Sequence, residues 1–168
     1  LVNPTTLPPY INFNWQPLNG PYGGSITRVK AHPDGTTLFA IANGNFVWKY
    51  SGGIWTRLNP IVGVTTIYDV DVDAAGNVYI VPLLNPQKIY KSIDKGVNWA
   101  PLTSTNLPVS SSAIRRIEIL SDGSILALGN SGGLGRIYKS IDGGATFNQK
   151  FVSTFNTNYA GTTTNPRI

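Results

Sequence analysis

The sequence contains no cysteine, which removes disulfide frameworks, thiolate zinc sites and cysteine nucleophiles together. Charge is scarce. Lys+Arg 13 and Asp+Glu 8 make up 12% of the 168 residues, about half the usual share in soluble domains. Glu118 is the only glutamate and His32 the only histidine. No run approaches the roughly 20 apolar residues of a membrane-spanning helix. The opening LVNPTTLPPY lacks a basic stretch leading into an apolar one, so the expectation is a processed start with no signal peptide.

What is present points to a folded, turn-rich chain. Hydrophobic residues make up 41% and aromatics 11%, with Gly 18 and Pro 12 as punctuation, enough apolar mass to bury a core. At 18.1 kDa the chain fits one domain. The net charge of +5 is spread out, and Arg115-Arg116 is its only adjacent basic pair. Phosphate binding needs clustered charge, so no nucleic-acid partner is expected. The Asn/Thr/Ser/Gly-rich polar composition points to an exported bacterial protein, placing the chain outside the cell or on its surface.

The main sequence signal is repetition. Ile89–Trp99 and Ile137–Phe147 match residue for residue over Ile-Tyr-Lys-Ser-Ile-Asp, and Val47–Trp55 is a degenerate, shorter copy. Upstream of each lies a glycine turn, at Gly35, Gly76 and Gly123. Period-2 alternation flanks every one of these turns, as in Ile67–Val72 and Asn77–Val81, which is the strand-and-hairpin pattern. A third strand per repeat comes from the Ile-Tyr-Lys-Ser runs and a fourth from Trp55–Leu58 and Trp99–Leu102. The pattern predicts strands near 26–32, 37–42, 46–50 and 54–58, then from about 67, 77, 88 and 98, then from about 114, 124, 136 and 146. The period suits a four-stranded propeller blade. Trp15-x-x-Leu18 reads as one more fourth strand without its first three. The expected architecture is all-β: a β-propeller segment of three four-stranded antiparallel blades plus one orphan outer strand. It divides into a Pro-rich lead-in (1–24), blades at 25–60, 61–104 and 105–153, and an Asn/Thr-rich tail (154–168).

Ser92-x-Asp94-x-Gly96-x-x-Trp99 and Ser140-x-Asp142-x-Gly144-x-x-Phe147 resemble the Asp-box, or BNR repeat. That motif forms the turn between third and fourth strands of blades in sialidase-, xyloglucanase- and sortilin-like secreted propellers. The resemblance covers residues 26–147. In these turns an Asp can accept backbone N–H groups, Gly takes positive φ and the aromatic packs beneath the hairpin. The resemblance implies a structural role for these Asp residues, on the face away from any active site. Sialidase chemistry would need an arginine cluster, an acid, and a tyrosine with a glutamate partner. The single Arg pair and single Glu do not supply them. Where the xyloglucanase resemblance would put a catalytic Asp, Asn43 stands, and an amide cannot ionise. No catalytic residue, metal ligand or cofactor is therefore assigned.

The expected function is a non-catalytic extracellular module for glycan or protein interaction or surface assembly. The alternative is a fragment of a glycoside hydrolase whose other blades lie outside the chain. Three blades leave two faces uncovered where propellers usually have four to eight. Partners are therefore expected to be further blades from a longer chain, another copy or another subunit. The expected ligand surface lies opposite the box turns, on loops carrying Tyr22, Asn43, Asn45, Asn85 and Asn130, amides suited to sugar hydroxyls. His32 reads as a solvated turn residue. Asp69, Asp71 and Asp73 share one strand face, which suits ion pairing across blades better than a divalent ion. Alignment on the glycine turns sets Arg28, Lys30 and His32 against Asp69, Asp71 and Asp73, with Arg116 and Glu118 in the third repeat. The alignment predicts at least one contact from Asp69 or Asp71 to Arg28, Lys30, Arg115 or Arg116, worth about 0–1 kcal/mol if solvated in the tunnel.

Overall fold

The computed structural model describes residues 20, 24–108 and 114–156, the last three by backbone only. The Trp15–Leu18 segment, Tyr22 and the tail beyond 156 lie outside the described residues. Twelve strands form three four-stranded antiparallel sheets, and no helix occurs among the described residues. The first sheet holds β1 (Ile26–Ala31), β2 (Leu38–Ala42), β3 (Phe46–Ser51) and β4 (Ile54–Arg57). The second holds β5 (Ile67–Val72), β6 (Val78–Pro82), β7 (Tyr90–Ser92) and β8 (Ala100–Pro101). The third holds β9 (Ile114–Ile119), β10 (Ile125–Ser131), β11 (Leu134–Ser140) and β12 (Asn148–Asn156). In each sheet the strands lie in chain order, so hairpins supply every connection within it.

All twelve strand starts fall within two residues of the expected positions. The fourth strand of the second sheet shrinks to two residues, because Pro101 has no N–H to extend the ladder. The third sheet lengthens instead: Gly132 and Gly133, with φ of 63° and 77°, close β10 and β11 in a tight primed turn. Each inner strand also carries the same bulge. Residues 27, 68 and 115 are skipped in the registers Ile26↔Ala42/Arg28↔Ile41, Ile67↔Pro82/Asp69↔Val81 and Gly129↔Ile114/Leu128↔Arg116.

Two apolar layers join the sheets face to face. Phe39, Ile41, Val47 and Leu58 of the first sheet bury against Ile67, Val70, Val78 and Ile80 of the second. Tyr79, Val81 and Ile89 of the second bury against Ile114, Ile117, Ile125 and Phe147 of the third. So each sheet offers one face forward and one face backward, with apolar side chains on both, as alternation along a strand requires.

Candidate functional site

Inner strands β1, β5 and β9 run side by side in the same direction, because the contacts between them advance in step. Arg28 Nε donates to Asp69 Oδ1 at 2.9 Å, and Lys30 Nζ pairs with Asp71 Oδ1 at 3.0 Å. Onward, Asp69 Oδ2 accepts Ile117 N–H at 3.0 Å and Asp71 Oδ2 accepts Ile119 N–H at 2.6 Å. The predicted ion pairing is present, and its acidic side is buried rather than solvated. Asp69 and Asp71 are each only 3% exposed. Burial pushes the Asp69 carboxyl above its ordinary value, against the downward pull of Ile117 N–H and the Arg28 guanidinium. Burial works against the Lys30 ammonium, yet Asp71 and Glu118 hold its pKa above the ordinary value.

Because the inner strands are co-directional, corresponding hairpins share an end of the assembly. One end carries the glycine turns and the box turns. Ser92 Oγ donates to Asp94 Oδ1 at 2.7 Å and accepts Gly96 N–H at 2.7 Å, while Asp94 Oδ1 accepts Asn98 N–H at 2.8 Å. The third sheet repeats this through Ser140, Asp142, Gly144 N–H and Thr146 N–H. The Asn98 and Ser92 hydrogen bonds pull Asp94 down to about 2, and Thr146 and Ser140 lower Asp142 likewise. Phe147 is fully buried, and Trp99 packs against the first apolar layer. Leu58 and Leu102, each just past a fourth strand, lie so close to Gly96 and Gly144 of the following sheet that a Cβ there would come within 2.3 and 2.6 Å.

His32 sits at this end and is buried, which corrects its reading as a solvated turn residue. Its Nε2 lies 3.2 Å from Gly76 O, bridging the first two sheets, while Nδ1 faces both the Asp34 N–H at 3.1 Å and Asp34 Oδ2 at 3.0 Å.

The opposite end carries the second-to-third-strand connections and the starts of the inner strands. Asn43 and Asn45 occupy one tight turn. Asn43, with φ 54°, uses its Oδ1 to accept Ser25 N–H at 3.2 Å and so fixes the start of β1. Asn45 lines a small cleft between the first two sheets, with Phe46, Leu58, Asn59, Ile67 and Trp99 among the walls. Asn85 and Asn130 are exposed at the same end of the second and third sheets. The four amides thus share an end, while the cleft itself holds only Asn45 among them.

Two features at this end escaped the sequence reading. The bulge residues meet: the Arg115 guanidinium lies over the Tyr68 ring, 4.4 Å from its centroid. Gln87 is 2% exposed and uses both ends of its amide on one residue, donating to Ile114 O and accepting Ile114 N–H, each at 2.7 Å. Only its place in a Pro-flanked loop hinted at anything.

All eight carboxylates lie among the described residues, and each has partners within the fold. Asp34 accepts Thr36 and Thr37 N–H and pairs with Lys95 at 2.8 Å. Asp73 accepts Asn77 N–H and the Tyr79 hydroxyl, and Asp122 accepts Ser124 N–H. Glu118 pairs with Lys30 at 3.3 Å. No group of three or more metal-ligating side chains occurs among the described residues, and no helix there is long and apolar enough to cross a membrane.

No protein-family model and no curated protein matches the chain. Solved structures do. YCF48 bound to D1 peptide matches 75% of this chain with 17% identity and a TM-score of 0.57. An ancestral GH74 enzyme matches 85% with 18% identity and a TM-score of 0.61. PorZ, a surface component of the type-IX secretion system of Porphyromonas gingivalis, matches 70% with 14% identity and a TM-score of 0.53. The likeness shows the fold: the three sheets are blades of a β-propeller. The chain spans 39%, 20% and 18% of these three structures' own lengths.

Proposed function

We propose that this chain is a non-catalytic interaction module of an extracellular propeller, with its amide-bearing end as the ligand surface. The observation that carries this reading is the engagement of all eight carboxylates in turns and interblade contacts. Glycoside hydrolysis needs two carboxyl groups facing one substrate across about 5–9.5 Å, one of them available as an acid. Here six of the seven aspartates accept hydrogen bonds from N–H groups of their own turn or of their own and the next inner strand, and Asp69 from the next inner strand alone. The box turns support the Asp-box relationship, since Ser, Asp and Gly each have a local structural partner. Asn45, Asn85, Asn130 and Tyr68 offer amide and phenol groups suited to sugar hydroxyls or peptide amides. PorZ, a surface component, and YCF48, solved with a peptide bound, agree with an assembly or binding role. The test is a glycan array and a peptide library probed with the whole chain, followed by Asn85→Ala and Asn130→Ala on each hit. Hits weakened by these changes support the reading. Hits unaffected by them, or none at all, sink it.

A second reading rests on the likeness to the GH74 enzyme: a glycosidase whose acids lie on blades outside residues 24–156. Release of reducing ends from xyloglucan by a longer protein that carries these three blades, and not by this chain alone, would establish it.

A further inference from the structure

The backward face of the first blade is bare at positions that the other two blades bury. Ile26 and Val29 are 42% and 54% exposed, whereas Ile67 and Val70 are 7% and 0%, and Ile114 and Ile117 are 0% and 1%. The backbone repeats the contrast. His32 N–H bonds Thr37 O, so by strand alternation the N–H groups of Val29 and Ala31 point away from β2. The matching N–H groups of Ile117 and Ile119 are taken by Asp69 and Asp71 of the blade before.

The forward side of the third blade poses the complementary question. Arg28 and Arg116 hold the same repeat position. Arg28 finds Asp69 on the blade that follows it, whereas Arg116, whose charge acts on Asp69 of the blade before it, keeps a buried Nε with no hydrogen-bond acceptor. Inner-strand charge therefore runs basic in the first blade, acidic in the second, and arginine-led again in the third. An acidic strand satisfies a basic one on both of its sides: its carboxylates take the Arg28 and Lys30 side chains behind it and the backbone N–H groups ahead of it.

We infer that each open side docks a further four-stranded blade whose inner strand carries two acidic residues in the places of Asp69 and Asp71. Before the first blade, these acids accept the Val29 and Ala31 N–H groups. After the third, they accept from the Arg116 guanidinium. A second copy of this chain is the poorer occupant, because stacking its third blade on the first blade sets Arg116 against Arg28. The inference rests on the interblade contacts and is independent of what the amide-bearing end binds.

The chain can be made to supply its own acidic blade. Arg116→Asp, with Glu118 two residues on, gives the third blade the paired acids. In sedimentation equilibrium the unmodified chain should remain a monomer. Arg116→Asp should associate at least about tenfold more tightly, as removal of a like-charge contact in an interface predicts. Adding Val29→Glu, a like charge set against the new acids, should return it to monomer. Arg116→Gln removes the like charge without placing an anion beside Asp69; it should show a smaller gain, and it decides the matter if Arg116→Asp does not fold. An unmodified chain that associates as tightly as the variants overturns the inference, and so does a folded variant with no gain.

Discussion

Arg28 and Asp69 stand 41 residues apart, yet Nε meets Oδ1 at 2.9 Å, and the second oxygen of that carboxylate holds the Ile117 N–H of the third blade. One buried side chain thus ties three inner strands. Replacing it by Leu leaves a part-buried guanidinium unpaired and a buried N–H without an acceptor. Asp69→Leu should cost about 3 kcal/mol in urea unfolding. Arg28→Met added to it should cost less than the sum of the two single changes, because the orphaned cation is gone. Additive losses would show the pair to be uncoupled.

Gln87 makes a comparable tie with neutral groups. Gln87→Ala removes both partners of the buried Ile114 backbone at once, and each orphaned group costs about 1–3 kcal/mol. The expected loss is about 3 kcal/mol. Fast amide exchange at Ile114 in the folded variant should accompany it, and an unchanged urea midpoint would contradict the assignment.

The strand order, the glycine turns and the Ser-x-Asp-x-Gly turns could be read from the sequence because each is local: alternation of period two, then Gly, Asn or Asp at fixed offsets. Even the Arg28–Asp69 pair could be found, since the repeat period converts sequence distance into adjacency. Its burial could not, because the depth of a carboxylate depends on which sheets close over it. Gln87 gives no periodic signal, and its partner lies 27 residues away. Tyr68 and Arg115 were hidden by the bulges, which add one residue to the inner strand and re-aim the side chain. For His32, the neighbouring Pro and Asp suggested an open turn, but Gly76 of the next blade covers the ring.

Acid should weaken the fold. Hydrogen bonds hold Asp94 at about 2, and Asp122 and Asp142 are also lowered by their Ser and Thr partners. Asp73 is lowered too: burial opposes this, but Asn77 and Tyr79 prevail. A carboxyl with a folded pKa below its unfolded value adds stability above the unfolded value, and this is lost as pH falls through the folded one. The window therefore runs from about pH 4 down to about pH 2. Asp69, raised by burial, works in the opposite sense, but it is one group against several. Urea midpoints should fall from about pH 5 to about pH 3, and Asp94→Asn should flatten that slope. A midpoint that rises over this range would contradict the hydrogen-bonding pattern.

The box glycines test how the blades lock together. Gly96 and Gly144 have φ of 85° and 95°, where an L side chain costs about 1–2 kcal/mol. Gly123, with φ 78° and nothing within 4 Å of a built Cβ, shares that cost and no other. At Gly96 a Cβ would stand 2.3 Å from Leu58 Cδ1, and at Gly144 2.6 Å from Leu102 Cδ1, so each leucine must leave the groove it fills on the next blade. Gly96→Ala and Gly144→Ala should therefore destabilise by about 1 kcal/mol more than Gly123→Ala, the scale of overpacking a filled site. Leu58→Ala should remove most of the excess at Gly96, because the shorter side chain leaves room for the methyl group. Equal losses at all three glycines would mean that backbone strain alone sets the cost, and that the leucine contact does not hold consecutive blades in register.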